Sequence, residues 1–141
     1  MKKRKAKKKK LFRPALMKKK LHDRWSSVVR QRDNYACQWC AHDGKHKVNL
    51  SNHAHHIVSR ALCGNNGAFD VDNGVTLCFQ CHLFRLKSEV DEYIAFRDKW
   101  LLDNIGVDYQ FLRDKFRPTV KFTEEFYKMK KDSLDYVRRK K

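Results

Sequence analysis

The chain has 141 residues, with 33 Lys or Arg against 16 Asp or Glu and a formal net charge of +17. That length suits one domain with room for an appended helical segment. No apolar run is long enough for a signal peptide or a spanning helix, and five cysteines, four of them in two C-x-x-C pairs, fit metal binding in a reducing compartment better than a disulfide framework.

Residues 1–20 carry ten lysines and two arginines with no acid, whereas the rest of the chain is only mildly basic. So dense a cationic arm repels itself and buries little apolar surface, so disorder is expected there. It fits polyanion binding through counterion release, a nuclear localisation signal, or a plain solubilising tail. Leu21, Trp25, Val28 and Val29 then recur at helical spacing and predict a helix over 21–33. Asn34-Tyr35-Ala36 leads into the first cysteine pair, and Asp43-Gly44 is a turn signal. Alternating apolar and polar positions predict a strand within 48–58, and Gly64-Asn65-Asn66-Gly67 reads as the loop of a hairpin or a connection near it. Val75-Thr76-Leu77 is a short β-prone run, after which a helix is expected from His82 onward.

A second helical period covers 88–105, with Val90, Tyr93, Ile94, Trp100, Leu101 and Ile105 on one face. Ser88 is the expected N-cap and Gly106 the expected stop. Tyr109, Leu112 and Phe116 mark a short helix closed by Pro118. Thr123-Glu124-Glu125 opens a last one carrying Phe126, Met129, Leu134 and Val137. The expected division is a disordered arm over 1–20, a central domain over 21–105 and a helical extension over 106–141.

The chemistry concentrates in an ordered set: Cys37-Gln38-Trp39-Cys40, His55-His56, Asn73, and Cys78-Phe79-Gln80-Cys81-His82. Four thiolates at this spacing can close a tetrahedron around zinc and leave no open position, which frees the histidines for a second site. The cysteines alone fit equally well a non-catalytic zinc-ribbon nucleic-acid binder. Cys63 stands apart as a bystander thiol, and His22, His42, His46 and His53 carry no assigned chemistry. Of these four, His53 shares a strand face with His55 and is the best placed.

The order of these residues resembles the zinc-stabilised, four-cysteine branch of the HNH endonucleases, including small phage- and mobile-element-type enzymes. Arg32-Asp33-Asn34-Tyr35-Ala36-Cys37, Ala54-His55-His56-Ile57-Val58-Ser59-Arg60 and Asn73-Gly74-Val75-Thr76-Leu77-Cys78 extend the similarity over roughly residues 21–105. The resemblance implies an α+β fold, a ββα-metal hairpin and helix pinned by a zinc site of Cys37, Cys40, Cys78 and Cys81. It implies a metal-dependent DNA endonuclease that leaves a 5′ phosphate and a 3′ hydroxyl, contacting DNA mainly through the backbone. His56 is the implied general base, His55 and His82 the implied ligands of a catalytic Mg²⁺ or Mn²⁺, and Asn73 fixes the hairpin loop or reaches the metal. Arg60 is the candidate phosphate contact, since a guanidinium matches phosphate geometry.

Many relatives carry a further histidine where this chain has Leu86, which leaves two protein ligands and an open shell suited to Mg²⁺ or Mn²⁺. Neighbouring residues of a regular strand point to opposite faces, so His55 and His56 can serve one phosphate only if the strand bends or the phosphate straddles its end. The rival readings are the zinc-ribbon binder and a basic, ribosome-associated zinc protein acting on RNA. The short apolar runs and the cysteine usage lead to the expectation of a soluble, intracellular protein, cytoplasmic as in a phage-infected host, or nuclear in a eukaryote.

Overall fold

The computed structural model describes residues 9–140; Met1–Lys8 of the arm and Lys141 lie outside the described residues. The first element, α1 (Pro14–Arg32), starts inside the segment expected to be disordered, so that expectation is corrected for residues 14–20. Pro14 sits where a helix has no use for its N–H, and Ala, Leu, Met and Lys are all good helix formers. Packing adds what charge repulsion opposes. Phe12 stacks on Phe122 with centroids 6.1 Å apart, and Arg24 pairs with Asp135 of the last helix.

The short helix α2 (Gln38–His42) starts at Cys37, whose sulfur accepts from Cys40 N–H. The strand β1 (His53–His56) pairs antiparallel with β2 (Gly74–Leu77), with His53 opposite Leu77 and His56 opposite Gly74. The strand expected within 48–58 is thus only four residues long, because its partner is no longer. Val48 makes an isolated bridge to Ala36, and Leu50 is exposed.

The Gly-Asn segment expected as a hairpin loop lies instead in a helix, α3 (Arg60–Ala68), kinked at Gly64, where φ is +53°. It is held from outside: Asn65 Nδ2 donates to the Val120 carbonyl and Asn66 Nδ2 to the Lys115 carbonyl. After β2, a π-helical turn over Cys81–Arg85 runs into α4 (Leu86–Ser88) and α5 (Val90–Asn104). Glu89, not Ser88, occupies the N-cap of α5; Ser88 instead donates to the Phe84 carbonyl and finishes the preceding turn. Gly106 takes the left-handed conformation (φ +80°) that ends α5, as expected of a C′ glycine. The helices α6 (Tyr109–Lys115) and α7 (Glu124–Arg139) are capped by Asp108 and Thr123.

α1 lies between the hairpin and α7 and touches both. Its Leu21, Trp25, Val28 and Val29 join Leu77, Phe96, Leu101, Leu112, Phe126 and Leu134 in one buried cluster. The helices beyond residue 105 therefore share the core of the preceding segment. No helix of the described residues is long and apolar enough to cross a membrane.

α1 packs closely against β2. A Cβ at Gly74 would sit 2.5 Å from Val29 Cγ2 and 2.8 Å from Trp25 Cζ2. Gly74→Ala should therefore cost roughly 1–3 kcal/mol through overpacking, read as a lower urea midpoint at unchanged m-value.

Candidate active site

Four sulfurs come together from three pieces of chain. Cys37 and Cys40 flank the first turn of α2, Cys78 follows β2, and Cys81 opens the π turn. All four are buried, with sulfur atoms within 4.8 Å of one another. Cys40 Sγ lies 3.8 Å from Cys78 Sγ and 3.6 Å from Cys81 Sγ. A zinc tetrahedron with Zn–S bonds of about 2.3 Å has sulfur–sulfur edges of about 3.8 Å, so the donor set fits. Burial pushes the Cys40 thiol up to about 11 and Cys81 higher still, so ionising the set calls for a cation among the sulfurs.

Arg85 supports the cluster from outside. Its Nη1 donates to Cys81 Sγ at 3.6 Å, its guanidinium pairs with Asp43 and Glu89, and it lies 3.9 Å over the Trp39 ring. Cys63 is buried beside Gly67 and takes no part in the cluster.

Strand alternation divides the histidines. His53 and His55 share one face of β1 with His82, whose ring enters from the π turn. His53 Nδ1 is 2.7 Å from His82 Nδ1, and the His55 and His82 rings are 5.3 Å apart. His55 Nε2 bonds the Tyr93 hydroxyl of α5 at 3.0 Å. Burial, then the nearby His82 and His56, holds His55 down to about 3; burial and His53 also lower His82. Both rings are thus neutral with a lone pair to offer, as a metal ligand must be. Among the described residues only the four cysteines form a set of three or more metal-binding side chains within 4.8 Å of one another. An ion on the histidine face would have to draw at least one ring inward.

His56 occupies the opposite face. Its ring stacks on Trp25 at 4.0 Å and 8°, with His22 at 5.7 Å. Its Nε2 donates to the Ala68 carbonyl at 2.9 Å. A carbonyl only accepts, so Nε2 holds the proton and Nδ1 keeps the lone pair. Burial lowers its pKa to about 4, against the Ala68 contact, which raises it; His22 and Arg60 lower it further. Arg60 is exposed at the start of α3, on the His56 side.

Asn73 is completely buried. Its Oδ1 accepts from Val58 N–H at 2.7 Å, and its Nδ2 donates to the carbonyls of Val58 and Gly67. Its amide joins the exit of β1 to the end of α3, one residue before the Ala68 carbonyl that meets His56.

Residues 37–85 match the family model of the HNH endonucleases. This segment is similar to an HNH endonuclease domain. No curated protein and no solved structure matches the chain. Within the matched segment lie the four cysteines, His53, His55, His56, Arg60, Asn73 and His82; outside it lie Trp25, His22 and Tyr93, which complete the surroundings of the histidines. Trp25 carried no sequence signal beyond helical spacing, because an aromatic at a core position gives no hint of which ring it will meet.

One zinc per chain is expected by elemental analysis, lost in Cys78→Ser together with cooperative folding, since structural zinc supplies on the order of 10 kcal/mol. Cys63→Ala should keep its zinc.

Proposed function

We propose that this chain is a metal-dependent DNA endonuclease whose general base is His56. The observation that carries the reading is the His56 environment: a neutral imidazole with its proton fixed on Nε2 by Ala68 O and its plane fixed by Trp25. Such a ring presents Nδ1 to take a proton from water, and the Ala68 carbonyl stabilises the imidazolium that forms. Arg60, exposed beside it, offers a guanidinium to a phosphate. His55 and His82 would hold a divalent ion on the other strand face; when bound, it would offset charge on the phosphoryl group and the departing 3′ oxygen. An imidazole shell suits Mn²⁺ better than Mg²⁺. The phosphate would straddle the end of β1, and the products would be a 5′ phosphate and a 3′ hydroxyl. The cationic N-terminal segment would bind the backbone without reading bases.

His56→Ala should fold, keep its zinc and bind DNA like the parent, while nicking of supercoiled plasmid with Mn²⁺ falls by roughly 10²–10⁴. Equal nicking by both proteins would remove His56 from this role. A parent that cuts neither DNA nor RNA with any divalent ion would instead support the non-catalytic zinc binder.

The sign of the pH dependence also follows. Burial disfavours the imidazolium, so His56 stays in its base form down to about pH 4. At saturating metal, the acid limb of kcat/KM, which reports the free enzyme, should lie clearly below pH 6.5. A limb at or above 6.5 would contradict a buried base.

A further inference from the structure

The HNH reading gives His55 and His82 to the metal and leaves His53 without a task. Yet His53 makes the closest histidine contact in the described structure, its Nδ1 lying 2.7 Å from His82 Nδ1. Two imidazoles that meet this way can share one proton in an N–H···N bond. Alternatively, both lone pairs can turn to one cation. The second arrangement has structural support. His53 is two residues before His55 on the same strand face, so it enters the metal side of β1 as a matter of pleat. His82 is fixed by the π turn that starts at a zinc ligand, and the edge of Phe79 covers the His53 ring with centroids 6.3 Å apart. On the helix side the chain offers Leu86 instead of another donor.

We propose that His53 and His82 together form the preorganised half of the divalent-metal site, with His55 the ligand that moves in when the ion binds. This rests on the nuclease reading above, and its test does not depend on cleavage. Mn²⁺ binding to the zinc-loaded full chain is measured by calorimetry for the parent, His53→Ala, His82→Ala, the double variant and His42→Ala, an exposed histidine away from the site. His53→Ala and His82→Ala should each weaken Mn²⁺ binding tenfold or more. The double variant should lose less than the two combined, because a chelate broken once is already broken, and His42→Ala should match the parent.

Parent-like affinity in His53→Ala, with affinity lost in His82→Ala, overturns the proposal and leaves the nuclease reading intact. A parent that binds no Mn²⁺ overturns both. Should His53→Ala misfold, His53→Leu, which keeps the side-chain bulk without a donor, decides in the same titration: a tenfold or greater loss of Mn²⁺ affinity is expected, and parent-like affinity overturns the proposal.

Discussion

Four sulfur atoms gather pieces of chain that would otherwise have little reason to stay together: the loop before α2, the end of a four-residue strand and a single π turn. A two-stranded hairpin of this size is marginal alone in water. Its stability is tied to the cross-link at one end and to α1 along its face. Because His82 directly follows a cluster cysteine, the sulfur site also fixes one ring of the histidine site. The two clusters are joined through one peptide bond.

The hairpin sorts its histidines by parity. Odd-numbered His53 and His55 meet His82 and Tyr93, while even-numbered His56 meets Trp25, His22 and a backbone carbonyl. One face gathers three imidazoles and a tyrosine hydroxyl; the other holds a single ring between an indole and a carbonyl. The three hydrogen bonds of Asn73 join the exit of β1 to the end of α3, next to the carbonyl that meets His56. Removing its side chain would orphan buried groups at roughly 1–3 kcal/mol each and loosen that path.

Much of the site could be read from spacing. C-x-x-C pairs with an intervening His-His define donors that need no tertiary knowledge, and the four cysteines do converge. The helical periods of 21–33, 109–116 and 124–137 also reappear, with the caps at Asp108 and Thr123 where side-chain oxygens favour them. What escaped was decided by contacts distant in sequence. Residues 14–20 look like a solvated cationic arm until α7 supplies a surface for them. Gly64-Asn65-Asn66-Gly67 carries every local sign of a turn, yet Asn65 and Asn66 find carbonyls around fifty residues away and Gly67 lies against Phe116. The partners of the histidine rings were invisible for the same reason, since Trp25 and Tyr93 come from helices outside the motif.

That last feature bears on modularity. The segment matching the family ends at Arg85 and begins at Cys37, but the ring beneath His56 and the hydroxyl beside His55 belong to flanking helices. Gly74 has no side chain because α1 occupies that space, so a transplant of the motif alone would leave a slot along β2 open to solvent. The unit that evolution or an engineer could move intact is longer than the motif by a helix on each side.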